Sequence, residues 1–157
     1  MRKRITPQGA SEVSPADQHW LDVERVAQVE ITSEDPAYPI ESALLPEPGS
    51  GWRAARPGEQ TIRLLFDEPL RLRRIRLVFH EAQRARTQEF ALGWTPDGGQ
   101  PCRQLVRQQY NFSPPDTTRE VEDYRVTLDG VTALELRIVP DIGGGDVRAS
   151  LAGLQLA

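Results

Sequence analysis

The chain has one cysteine, Cys102, two histidines, His19 and His80, and fewer positive than negative side chains. A lone cysteine closes no internal disulfide, so stability has to come from packing, as it does in a reducing compartment. The two histidines lie far apart in sequence. There is no His-x-x-x-His, no Cys-x-x-Cys, no glycine-rich phosphate loop and no nucleophile elbow. Nothing in the sequence therefore holds a base beside a nucleophile, and the chain reads as a non-enzyme. Lys and Arg number 19 against 23 Asp and Glu, for a net charge of -4. That balance repels phosphate backbones and argues against a nucleic-acid partner. No apolar run approaches the length of a membrane span. The basic opening "MRKR" is followed by polar "ITPQGASEVSPADQ" where a signal peptide needs an apolar segment. With the single cysteine, this sets the expectation of a cytoplasmic protein.

What is present is enough for one globular fold. The 157 residues suit a single core and are too few for two domains of ordinary size. Residues 1–13 are polar and aperiodic and read as a loose arm. Ser14 as N-cap, Pro15 at the first helical position and Asp17 predict a short helix or turn reaching about Val26. The expected division is an arm with a short helix over 1–28 and a β domain over 29–157.

Beyond the arm the apolar period is two. "AQVEIT" puts Val29 and Ile31 on one face. Ile62, Leu64 and Phe66 alternate with polar neighbours, as do Ile75, Leu77 and Phe79, and then Phe90, Leu92 and Trp94. "TPDGG" marks a hairpin turn. Asp129-Gly130 separates a Tyr124, Val126, Leu128 strand from a Leu134, Leu136, Ile138 strand, and "ASLAGLQLA" closes the sheet. No helical pattern of crossover length intervenes, so the strands are antiparallel and the fold class is all-β, a β-sandwich or jelly roll. In "RLRRIR", Arg74 and Arg76 share the face opposite Ile75, and a cross-strand carboxylate such as Glu135 is expected to neutralise them on a solvated sheet face.

Four segments in order, "VEITSEDPAYPIESAL", "GWRAARPGEQTIRLLFDEPLRLRRIRLVF", "RTQEFALGWTPDGG" and "VTALELRIVPDIGGGDVRASLAGLQL", resemble the discoidin domain, the coagulation-factor V/VIII C-terminal type. The resemblance covers about residues 29–156. It implies a galactose-binding-like jelly roll without catalytic activity, which binds sugars, phospholipid head groups or proteins through loops at one end. On this chain those loops are 33–39, 80–87 and 107–116, with 142–148 a fourth. Sugar-binding relatives often carry calcium after the alanine-leucine segment. Here that stretch reads "LLPEPGSG", and one Glu is thin for an ion wanting six or more oxygens, so no cofactor is expected.

The candidate ligand-binding residues come from those loops. Tyr110 and Phe112 flank Asn111, and aromatic faces beside an amide suit saccharides; the reading favoured on the residues alone is that these rings pack beneath the loop and hold it against the sandwich. His80, Glu81, Arg84 and Arg86 form a polar connection whose guanidinium forks engage hydroxyls, carboxylates or phosphates. Glu34, Asp35 and Tyr38 add acceptors and a ring, although "EDP" is also a good turn. Trp52 reads as a core residue, with Arg53 paired to a nearby carboxylate. The partner expected from this set is a carbohydrate, with intracellular protein docking as the alternative. The oligomeric state is left open.

Overall fold

The structure, a computed structural model, describes residues 20–45 and 49–157. The arm and the helix start at Ser14 lie outside the described residues. A single turn of helix, α1 (Val23–Val26), leads into β1 (Ala27–Ile31), and a second turn, α2 (Glu41–Leu44), precedes β2 (Trp52–Pro57). Two 21-residue strands dominate the rest of the chain: β3 (Gln60–His80) and β6 (Arg119–Val139). Between them lie β4 (Arg86–Pro96) and β5 (Arg103–Phe112), and the chain ends with β7 (Arg148–Leu151) and β8 (Gly153–Leu156). Among the described residues no helix is long and apolar enough to cross a membrane.

The long strands make the sandwich because each passes through both layers. The first half of β3 pairs with β1 and with the second half of β6, which also pairs with β4; β5 lies at the edge. The second half of β3 pairs with β8 and with the first half of β6. All these pairings are antiparallel, as the alternation predicts. The small β2–β7 sheet closes one end.

The sequence itself signals the bend in β3. Its core-cluster residues are even-numbered as far as Leu72 (Ile62, Leu64, Phe66, Leu72) and odd-numbered after it (Ile75, Leu77, Phe79), although even-numbered Arg74 and Val78 are buried as well. A period of two cannot change parity unless a residue is gained or lost. The β3–β6 register shifts between Leu65 and Arg74, where Pro69 supplies no ladder donor. Both halves thus turn their apolar faces to one core, and Phe79 meets Phe90 across it with ring centroids 5.3 Å apart. Each such large side chain taken out of water contributes about 1.5–3 kcal/mol.

The fold corrects several expectations from the sequence. Asp129-Gly130 is not a hairpin turn: β6 runs through it, and Gly130, at φ 65°, bends the strand while its carbonyl accepts the Asp97 N–H at 2.7 Å. The segment expected as a loop over 107–116 is strand as far as Phe112, paired with β4. Arg74 is not solvated and does not meet Glu135. Its fork grips Asp123 at 2.9 and 2.6 Å beneath Trp20, because β6 brings Asp123 opposite Arg76; Glu135 pairs with Arg63. β1 begins at Ala27, and Ala27 and Gln28 pair with Phe66 and Leu65.

Candidate functional site

Where β3 ends at His80, the chain turns through residues 81–85 into β4, and this turn forms one wall of a rim cleft of about 380 Å³. His80, Glu81 and Arg84 lie on that wall. Asp146 and Arg148 come from the segment entering β7, and Arg53 and Ser150 from the β2–β7 sheet. A smaller recess of about 80 Å³ shares Arg53, His80 and Ser150 and adds Tyr38 and Trp52. The two volumes form one polar trough with His80 and Arg53 at the junction.

Strand alternation explains the β2–β7 wall. Trp52 pairs with Leu151 and Arg53 with Ser150, so the first pair is buried in the core while Arg53 and Ser150 reach the trough. Trp52 is 1% exposed and donates its indole N–H to the Ser33 carbonyl at 3.1 Å, which fixes it as core. Gly51 precedes it at φ 80°; a Cβ there would lie 2.7 Å from the Leu151 carbonyl oxygen.

The 35–38 turn is tied to β2 by backbone. Asp35 N–H donates to the Arg53 carbonyl and Arg53 N–H to the Tyr38 carbonyl, at 2.8 and 3.1 Å. Glu34 accepts the Ile40 N–H at 2.7 Å and Asp35 accepts the Ala37 N–H at 2.9 Å, so both carboxylates shape the turn. Among the described residues no carboxylate pairs with Arg53. Its guanidinium lies 4.6 Å from the centroid of the Tyr38 ring.

Behind the 81–85 wall sits a buried charge cluster. Glu81 accepts from Arg86 Nε at 2.7 Å with one oxygen and from the Gln83 and Arg84 N–H groups with the other. Burial pushes this carboxyl up, but the two amides and the guanidinium outweigh it and hold Glu81 below the ordinary carboxylate range. Arg86 also donates to the Pro140 carbonyl at 2.6 Å and to Gln88 at 3.2 Å, and Gln88 donates to Glu120 at 3.2 Å. Glu120 is 1% exposed, and its second oxygen has no partner among the described residues. Burial, then the neighbouring Glu122, pushes its pKa up to about 9, so it keeps its proton at neutral pH.

Of the residues expected to bind, Tyr38, His80, Glu81 and Arg84 line the trough. Glu34 and Asp35 support it from the turn. Arg86 and Phe112 are buried beneath it, the guanidinium 4.7 Å over the Phe112 ring, and so cannot touch a ligand in the trough. Tyr110 and Asn111 also line neither part of it: Tyr110 packs edge-on against Phe112 and donates to the Arg119 carbonyl, and Asn111 accepts the Thr87 hydroxyl at 2.6 Å. Arg53, Asp146, Arg148 and Ser150 were not among the candidates. Alternation with the buried Trp52 and Ala54 is the signal that could have placed Arg53 outward.

Among the described residues no group of three His, Cys, Asp or Glu side chains could hold a metal ion. Pro46 to Pro48 of the "LLPEPGSG" stretch lie outside the described residues.

The sequence matches no protein-family model and no curated protein. Solved structures do match. The family 32 carbohydrate-binding module of Clostridium perfringens NanJ, in complex with galactose, superposes with a TM-score of 0.60 at 11% identity, covering 87% of this chain and 96% of that one. An F5/8 type C domain from Bacteroides fragilis gives 0.56 at 13%, covering 87% and 93%. This is the discoidin fold. Reduced XRCC1, solved bound to the DNA polymerase β catalytic domain, shares it with a TM-score of 0.55 at 12% identity, covering 89% and 95%. The discoidin fold here therefore has neighbours of which one is solved with a sugar and another with a protein.

Proposed function

We propose that this chain is a non-catalytic carbohydrate-binding module whose site is the rim trough between Tyr38, Arg53, His80, Arg84, Arg148 and Ser150. The observation that carries this reading is the trough itself. Its size, about 380 Å³ with an 80 Å³ extension, suits one or two sugar rings, and it is lined by hydroxyl, imidazole and guanidinium groups of the kind that hydrogen-bond hydroxyls. The side chains are set by strands and by a buried ion pair, so the site is preorganised. The galactose-bound module with the same fold supports the reading. Isothermal titration of the whole chain against a panel of mono- and oligosaccharides at millimolar concentration tests it. Saturable binding lost on replacing His80 is expected, and no binding by any member overturns it.

The second reading is protein docking, favoured by the fold neighbour solved with a polymerase domain. A protein partner retained from native extract in excess sugar, and lost on altering a sheet face rather than the trough, distinguishes it.

A further inference from the structure

Resting on the carbohydrate reading, we infer that the trough selects acidic sugars, with a uronate carboxylate held by Arg53 and Arg148. Three observations converge. The first is the shortage of open aromatic surface. Neutral hexoses are gripped largely by stacking an apolar sugar face on a ring. The two aromatic side chains that reach the trough among the described residues are Trp52, 1% exposed, and Tyr38, which has the Arg53 guanidinium 4.6 Å over its ring.

The second is charge. The larger cleft presents three guanidinium groups, Arg53, Arg84 and Arg148, against two carboxylates, Glu81 and Asp146. Glu81 is already matched from behind by Arg86 and by two backbone amides, so it presents little free charge to the trough. On a chain of net charge -4 this is a local positive site, where a concave wall concentrates the field.

The third is availability. Arg84 pairs with Asp146 at 3.0 Å with side chains 54% and 81% exposed, and Arg148 with Asp35 at 3.7 Å with 47% and 25% exposed. Exposed pairs of this kind contribute little and exchange readily for a better acceptor. Arg53 has no carboxylate partner among the described residues, and its guanidinium lies over the Tyr38 ring. A planar fork matches a carboxylate with two parallel hydrogen bonds, a match hydroxyls do not reproduce.

Titration calorimetry of the whole chain tests this. The probes are trimers of galacturonic, mannuronic and glucuronic acid, each beside the neutral trimer of its parent hexose, at 50 and 300 mM NaCl. At least one acidic trimer is expected to bind tenfold or more tightly than its neutral counterpart, with the preference shrinking at high salt. Arg53→Gln combined with Arg148→Gln should reduce the preference to within twofold, with an unchanged circular-dichroism spectrum. Asp146→Asn, which frees Arg84, should strengthen binding of the acid. Neutral trimers bound as tightly as the acids overturn the charge inference and leave the carbohydrate reading standing. So does a preference that survives in the double variant. Binding by no acidic trimer also overturns the charge inference, and the wider saccharide panel then decides the carbohydrate reading separately.

Discussion

Arg86 and Glu81 form a buried ion pair, Nε to Oε1 at 2.7 Å with side chains 1% and 14% exposed, and this pair joins the start of β4 to the wall of the trough. Arg86 meanwhile stacks on Phe112 and donates to the Pro140 carbonyl, so one guanidinium holds three segments together. Stripping a charge of its partner in such a place leaves it buried and uncompensated. Glu81→Gln is therefore expected to destabilise the fold by about 3–5 kcal/mol, read as a lower urea midpoint. The folded carboxyl lies below its ordinary range, so its contribution is present above the unfolded pKa and lost as pH falls through the folded one. The gap between wild type and variant should close in acid, below about pH 4.

Glu120 behaves in the opposite sense. Its folded pKa of about 9 lies above the unfolded value, so the native state holds a proton that the unfolded chain releases. Stability from this source is complete below the unfolded carboxylate pKa and declines as pH rises towards 9. Glu120→Gln keeps an acceptor for Gln88 and never ionises. It is expected to flatten the fall in stability between pH 5 and 9 and to be more stable than wild type near pH 8. Thermal melts of both proteins across that range check it; parallel curves would count against a buried neutral acid.

The strands were legible because burial on one face writes itself as alternation. Ile62, Leu64 and Phe66 face inward and Arg63 faces outward, as the pattern demands. The parity change in β3 was also visible, but whether it means two strands or one bent strand depends on β6 bending beside it, which no local pattern encodes. Asp129-Gly130 misled for the same reason: the dipeptide supports a turn or a bend, and pairing with β3 decides. At the site, loop composition identified the 81–85 wall yet could not tell Arg84, which lines the trough, from Arg86, buried on Phe112 two residues later. That difference arises from strand β5, far along the chain. That Arg53 and Arg148 line the cleft was not legible, because their meeting at one rim is a product of the β2–β7 pairing.

Gly51 shows how tightly the site is joined to the core. Its backbone is left-handed at φ 80°, and a methyl group there would press to 2.7 Å on the Leu151 carbonyl oxygen, backbone that cannot yield without opening the β2–β7 sheet. Gly51→Ala combines a strained dihedral with that clash. It is expected to cost about 2–4 kcal/mol and to weaken ligand binding along with stability. Gly98→Ala has a similar φ of 89° but no atom within 4 Å of the added carbon, so it should cost only the dihedral term, about 1 kcal/mol. Chemical denaturation of the two variants side by side separates clash from strain.

His80 offers the cleanest separation of binding from folding. It is exposed at the end of β3, and its side chain borders both parts of the trough. His80→Ala removes no core contact, so stability should stay within about 0.5 kcal/mol of wild type. Affinity for whichever saccharide the chain binds should fall about tenfold, close to 1.4 kcal/mol. Asn111→Ala is the matched control, because Asn111 is also exposed and polar but accepts the Thr87 hydroxyl away from the trough. Calorimetric titration of the two variants with one saccharide decides between the sites. Loss in the Asn111 variant with His80→Ala unaffected would move the binding surface from the rim to the β4–β5 edge.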